Sequence, residues 1–389
     1  MSYKICNRCV MDNKSDDTIT FDEKGNCNYC TTALNEIRTT YFPNQEGQKR
    51  LNVLINMLKK EGRGKKYDCI MGISGGLDSS YLAYLGFKWG LRILAIHVDD
   101  GFDTEIAKRN IKKLIQSTNI DYIVEKPDEK QFNALTKAYF LARVPNLAVP
   151  QDNILFACIY KLIRKHKIRT FLSGGNFALE CILQRGNTYR AFDITNIKAI
   201  HKAFGTEPID KLPLLSDYRR FIDQKLLRIK TVRPLNYINY NREAALKELS
   251  GFCDFEYYGS KHLENTLTKF IQLYWFYNKF GVDKRRSHLS SMIVSGQMTR
   301  EQALLELQKP MYDEDEMQND IKNICDALNI SKVEFDKVMS EPTRQHNYYK
   351  IDNFYIIFSS FAPLLGGFGG KKSIRMAKKM VKGTRICGI

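Results

Sequence analysis

Residues 74–80 read Ser-Gly-Gly-Leu-Asp-Ser-Ser, set between a short apolar run, Tyr67 to Ile73, and a segment of helical spacing, Tyr81 to Phe87. Strand, glycine turn and helix N-terminus, in that order, offer free backbone N–H groups and the positive end of a helix dipole to an anion. Gly75 and Gly76 let the backbone approach a phosphate closely, while Ser74, Ser79 and Ser80 add hydroxyl donors. Asp78 falls in the first helical turn, where capping is its plainer role. Beside a triphosphate the same carboxylate needs a cation, so Mg2+ is implied. The turn contains no lysine, which sets it apart from the loop of ordinary P-loop NTPases.

The surrounding pattern alternates. Leu91 to Val98 and Ile120 to Glu125 read as strands, and so does Ile168 to Leu172, which runs into Ser173-Gly174-Gly175-Asn176. Helical spacing fills Arg50 to Lys59, Thr104 to Ser117, Lys130 to Ala142 and Asn153 to His166. Such alternation predicts an α/β fold, a parallel sheet with helices on both faces and ligands at the carboxyl ends of the strands. The Ser74 turn, Asp99-Asp100-Gly101, Lys126-Pro127 and the Ser173 loop would meet there. Beyond about Gly259 the chain becomes aromatic-rich and helical, from Leu263 to Phe280, Thr299 to Gln308 and Met317 to Leu328.

Cys6-x-x-Cys9 and Cys27-x-x-Cys30 are two tight pairs separated by a span that suits one metal site. Four thiolates from two knuckles close a tetrahedral shell around Zn2+ and leave no open position, so the expected role is structural. Thr18 to Asp22, followed by Gly25-Asn26, reads as the hairpin of a zinc ribbon. An iron–sulfur cluster uses the same ligand count, and four unrelated thiols are the bland alternative.

The chain carries a net charge of +17, which points to an anionic partner or substrate without choosing among nucleotide, nucleic acid and membrane. Seven of its cations lie after Pro363, with no acid among them. The N-terminus lacks an apolar h-region, and the stretch from Phe354 to Gly370 is too short and broken to span a bilayer. The expectation is a cytoplasmic protein with no transmembrane segment. Gly366 to Ser373 has the glycines of a phosphate loop in the wrong register, and reads as a hinge before a basic helix. Lys284-Arg285-Arg286-Ser287-His288 is a candidate phosphate clamp, with a solvated charge run as the common alternative. His97 and His288 read as structural.

The Ser74 turn resembles the pyrophosphate loop of the PP-loop ATP pyrophosphatases, which cleave ATP between its α and β phosphates. With the cysteine box, His97 to Phe102, Lys284 to Ser291 and Gly296 to Ala303 in one chain, the sequence is similar to the N-acetyl sugar amidotransferases of surface-polysaccharide and lipopolysaccharide synthesis. The resemblance runs from Cys6 to about Asp313. It implies a zinc ribbon over 1–40, an ATP pyrophosphatase domain over 41–260, and a helical region with a basic tail over 261–389. It also implies ATP, Mg2+ and Zn2+ as cofactors, and nucleotide contacts from Ser74, Gly75, Gly76, Asp78, Ser79, Ser80, Val98, Asp99, Gly174 and Asn176. Asp78, Lys284 and Arg285 are the implied catalytic residues. The implied reaction converts the acetamido group of a sugar, carried on a nucleotide, into an acetamidino group. Ammonia would come from a separate glutaminase subunit, with a cyclase-like subunit as a further candidate partner, because no cysteine here has a nucleophile's context. No nucleic-acid partner is expected. The competing reading is tRNA thiolation by a PP-loop enzyme, which the charge and the cysteine box also suit; a non-enzymatic zinc adaptor is the weakest.

Overall fold

The computed structural model describes residues 2–259 and 263–353. The basic tail and the Gly366 to Ser373 segment lie outside them. Five strands form one sheet, β1 (Cys69–Gly72), β2 (Ile93–Val98), β3 (Asp121–Glu125), β4 (Thr170–Leu172) and β5 (Lys230–Val232). Their order is β3-β2-β1-β4-β5, and every neighbouring pair is parallel. The alternation read from the sequence accounts for the first four. β5 has only three residues, none of them fully buried, and lacks the apolar run that marks a strand.

Both sheet faces are covered, as the buried side chains show. Ile70, Leu94 and Ile96 join one core with the helices Glu129–Ala142 and Val149–His166 and much of the C-terminal region. Cys69, Met71, Ile93 and Ala95 point the other way, into a second core with the helices Gln45–Glu61, Leu77–Lys88 and Glu105–Thr118 and the cysteine module. Period-two alternation along two central strands thus builds two cores from one sheet. The aromatic stretch of the C-terminal region forms a π-helix, Phe270–Lys279. Its buried Trp275 donates Nε1–H to the carbonyls of Val144 and Pro145 at 3.1 and 3.2 Å, so the wide turn is anchored by a fully used indole.

The strand order reverses between β1 and β4. At such a reversal a crevice opens at the strands' carboxyl ends. The Ser74 turn leaves β1 and the Ser173 loop leaves β4, so both enter that crevice. Among the described residues, no helix is long and apolar enough to cross a membrane.

Candidate active site

A solvent-open cleft occupies the switch point. Its floor is the end of β1 and the turn, Gly72 to Ser74 and Gly76 to Ser79, and its sides come from the ends of β2 and β4. Phe132, Ile154, Phe156 and Phe171 line an apolar half. The other half is acidic, with five carboxylates (Asp78, Asp100, Asp103, Glu180 and Glu264) facing one guanidinium, that of Arg242.

The turn is held by its own hydroxyls. Ser79 Oγ accepts from the Ser74 amide at 3.3 Å and donates to the Gly76 carbonyl at 3.2 Å. Ser74 Oγ accepts from the Gly76 amide at 3.2 Å and donates to Glu264 Oε1 at 3.1 Å. Gly75 has φ +79°, and a Cβ there would lie 2.5 Å from the Ala107 carbonyl oxygen. A Cβ on Gly76 would lie 2.5 Å from Glu264 Oε1. One glycine therefore permits the close approach of a helix, the other that of a carboxylate. The Leu77 amide donates to the Tyr258 hydroxyl at 2.9 Å, and the buried Tyr240 hydroxyl donates to Asp78 Oδ1. Burial, with the Asp78 charge beside it, pushes the Tyr240 hydroxyl well above its ordinary range, so it stays a donor.

Of the adjacent pair that follows β2, Asp100 and not Asp99 lines the cleft. It accepts from the Phe102 amide at 3.1 Å, from Asn265 Nδ2 at 3.0 Å and from Gln151. Burial, reinforced by the neighbouring Asp103, pushes its carboxyl up to about 6. Asp99 turns outward and pairs with Lys126 at 2.8 Å. Burial works against that charge, yet Lys126 and the Gly101 amide hold it below the ordinary range. His97, Asp99 and Asp103 bring their ligand atoms within 4.8 Å of one another, but Lys126 and the His97–Asp103 contact at 2.7 Å already occupy those carboxylates.

Val98 and Gly174 line the cleft with Ser74, Gly76, Asp78 and Ser79. Gly75, Ser80 and Asn176 stand behind this wall. Ser80 is fully buried, and the Asn176 side chain caps the turn Phe177–Glu180 by accepting from the Leu179 amide. Lys284 and Arg285 are not brought to the cleft. The Arg285 guanidinium donates to the Lys309 carbonyl at 2.9 Å and the Leu307 carbonyl at 3.3 Å, and pairs with Asp283. Carbonyls at the end of the helix Arg300–Gln308 would otherwise go unpaired, so its cation serves that end. Lys284 Nζ lies 4.9 Å from the Phe276 ring centre, and burial pushes its amine down to about 8.

Three cleft residues that the sequence did not reveal come from the C-terminal part. Glu264, Asn265 and Thr268 enter the cleft because Asn265 forms an antiparallel bridge with Asp103, and the Thr104 amide donates to the Glu264 carbonyl at 3.0 Å. That pairing joins segments about 160 residues apart, and no local pattern marks it.

The four cysteines of the N-terminal module are fully buried. Cys6 and Cys30 Sγ are 3.7 Å apart, and Cys9 and Cys27 Sγ 3.6 Å. A tetrahedron with metal–sulfur bonds of about 2.3 Å has edges of about 3.8 Å, so these thiols fit one metal ion. The Cys27 amide donates to Cys6 Sγ at 3.1 Å and the Cys30 amide to Cys27 Sγ at 3.4 Å, contacts that favour thiolate. The hairpin read between the pairs is present as a single bridge, Phe21 to Cys27.

Residues 264–362 match the family described as LPS biosynthesis protein WbpG-like, C-terminal domain. The C-terminal part of this chain is therefore similar to a WbpG-like domain. It begins at the residue that reaches the Ser74 turn. An uncharacterised protein of Methanocaldococcus jannaschii is 32% identical over 121 residues, 31% of this chain and 41% of that protein. The chain therefore matches less than half the length of that relative. Similar solved structures include NMN synthetase from Francisella tularensis (16% identity, TM-score 0.28, covering 62% of this chain and 97% of that one). The U34-tRNA thiolase NcsA from Methanococcus maripaludis is 14% identical, with TM-score 0.32 over 76% of this chain and 88% of that one. The NH3-dependent NAD synthetase from Campylobacter jejuni is 15% identical, with TM-score 0.28 over 54% and 93%.

Proposed function

We propose that this chain is an ATP-dependent amidotransferase that converts an acetamido group of an N-acetyl sugar, carried on a nucleotide, into an acetamidino group. The observation that carries the reading is the Ser74 turn, placed at the switch point and joined there by Glu264 of the WbpG-like domain. The amide oxygen of the sugar attacks the α-phosphorus of ATP and pyrophosphate leaves toward the turn. Ammonia then adds to the activated carbon, AMP departs, and one proton is released. Backbone donors and the helix dipole at Ser74 to Ser79 stabilise the charge that grows on the leaving group.

Five carboxylates around one guanidinium would repel a polyphosphate, so the acidic half of the cleft supports a divalent cation as part of the substrate complex. Asp78 and Glu264, the carboxylates fixed to the turn, would hold Mg2+, which when bound neutralises phosphate charge as a Lewis acid. Tyr240 orients Asp78 for that task. In the N-terminal module we assign zinc: a cubane cluster would place four irons between the thiolates and spread them well beyond their present spacing.

The thiolation reading needs a thiolate at the cleft. Cys158 is buried in the apolar core with its thiol pushed up to about 11 by burial and the nearby Glu125 charge. Cys181 packs its sulfur against the Ser291 carbonyl at 3.9 Å. Both placements favour the amide reading.

The purified chain, given an N-acetyl sugar nucleotide, Mg-ATP and ammonium at alkaline pH, should release AMP and pyrophosphate and form an amidine. Glutamine should serve only after a separate glutaminase is added. Release of ADP and phosphate, or modification of tRNA with sulfide in place of the sugar, would sink the proposal.

A further inference from the structure

His97 lines the cleft from the end of β2, with its ring buried. Its Nδ1 lies 2.9 Å from the carbonyl oxygen of Ile73, the last residue before the turn. A carbonyl only accepts, so that nitrogen carries a proton and donates. The other nitrogen, Nε2, lies 2.7 Å from Asp103 Oδ2. With Nδ1 already protonated, a contact this short needs a proton between the two atoms, and Nε2 carries it when Asp103 is ionised. Burial alone would lower the affinity of His97 for its second proton, but the Asp103 hydrogen bond and charge reverse this, and the ring is held above its ordinary range.

The geometry points to His97 and Asp103 as a positioning pair for the phosphate turn, an imidazolium braced by a carboxylate that fixes the Ile73 carbonyl and so aims the Ser74 amide and hydroxyl. The chain leaves the sheet at this carbonyl. Ile73 N–H still bonds to the Ile96 carbonyl at 2.9 Å, so residue 73 is gripped on one side by the β2 backbone and on the other by a β2 side chain. The exit direction of the turn is thereby set by β2. Asp103 is itself held: Asn265 Nδ2 approaches its Oδ1 at 3.4 Å, and the two residues form a bridge. Asn265 follows Glu264, which accepts from Ser74 Oγ. The WbpG-like domain therefore meets the turn twice, directly through Glu264 and indirectly through Asn265, Asp103 and His97. The ring also sets one positive charge behind a floor that must receive an anion, in a cleft otherwise dominated by carboxylates.

This inference rests on the reading of the turn as a pyrophosphate site, and the test separates the two. Binding of Mg-ATP and of Mg-pyrophosphate is measured by calorimetry, with no sugar present, for the wild type, His97→Gln, Asp103→Asn and the double variant. Each single variant should bind pyrophosphate roughly tenfold more weakly, the order expected of one lost charge-assisted hydrogen bond. The double variant should be no weaker than either, because both changes break one brace, and Asp103→Glu should recover part of the loss. Additive losses, or unchanged affinity in the single variants, would overturn the pair while leaving the nucleotide reading intact. A wild type that binds neither ligand would overturn both. Nitrogen-15 spectra of the wild type need no variant: at neutral pH His97 should show protons on both ring nitrogens, and a single N–H would overturn the pair.

Discussion

Arg286 and Asp12 form an ion pair at 3.0 Å across 274 residues of chain, with the Asp12 side chain 2% exposed. The same guanidinium donates to the Val10 carbonyl at 2.8 Å, and Arg300 donates to the carbonyls of Cys6 and Cys9 at 3.0 and 3.1 Å. On its other flank the helix Arg285–Val294 holds the segment after β4. Ser291 Oγ accepts from the Ile182 amide at 2.9 Å, and Ser295 Oγ donates to the Ala178 carbonyl at 2.7 Å. The basic segment read as a phosphate clamp is thus a bracket between the cysteine module and the wall that carries Glu180.

Arg286→Ala should therefore act on stability. Removing it strands a buried carboxylate, and the expected loss is about 3–5 kcal/mol. Urea unfolding followed by circular dichroism would measure it. Affinity of the folded fraction for Mg-ATP should stay within about twofold, since cleft residues are not touched. A large loss of nucleotide affinity at unchanged stability would return this segment to the active site.

Metal removal should resemble that variant. Stripping the metal with a chelator, or changing Cys6 or Cys27 to Ser, should lower the melting temperature of the whole chain, because the module packs into the same core as β1 and β2. One equivalent of zinc should be found by elemental analysis. Stoichiometric iron with a visible absorbance band would contradict the assignment.

Glu264→Gln tests the acid that reaches the turn. The amide can still accept from Ser74 Oγ, so the fold should persist, but the charge offered to a cation is gone. The expected outcome is a fall in kcat of roughly 10²–10³, with a higher Mg2+ concentration needed for half-maximal rate. Unchanged Mg2+ dependence would remove Glu264 from the metal's surroundings.

The contrast between Ser74 and Glu264 shows where sequence reasoning reaches and where it stops. β1 to β4 were legible because each is a short apolar run bordered by helical spacing on at least one side, and that periodicity is local. The glycine turn was legible for the same reason. Glu264 was not, because its place depends on an antiparallel bridge between loops far apart in the chain. Nor was the role of Lys284 to Arg286, since a run of cations looks the same whether it faces a phosphate, a helix end or a buried aspartate. Asp99 and Asp100 are adjacent with identical chemistry. What separates them is tertiary: Asn265 and Gln151 reach Asp100, while Lys126 takes Asp99.

Gly75→Ala should be more damaging than its size suggests. The backbone sits at positive φ, which costs a side chain about 1–3 kcal/mol, and the new methyl would press on the Ala107 carbonyl. Part of that strain would relax by moving the turn, so pyrophosphate affinity should fall along with stability. Retention of full affinity in Gly75→Ala would show that the turn's shape does not govern anion binding.

Asp100 ties stability to pH. Its carboxyl is raised to about 6 in the folded chain by burial and by Asp103, against about 3.9 when unfolded. Between those values the folded state binds the additional proton, so the contribution of Asp100 to stability is greatest below about pH 4 and declines as pH rises toward 6. Above about pH 6 both states are ionised and the penalty is constant. The difference of about two pKa units corresponds to about 3 kcal/mol. Asp100→Asn removes this titration while keeping an acceptor for the Phe102 amide. Unfolding free energies of the two proteins, measured at half-unit steps from pH 4 to 7.5, should therefore diverge. The variant should gain relative to the wild type as pH rises through the window, and the gap should level off beyond it. Parallel curves would mean that Asp100 carries an ordinary carboxyl, and that Gln151 and Asn265 solvate its charge as well as water does.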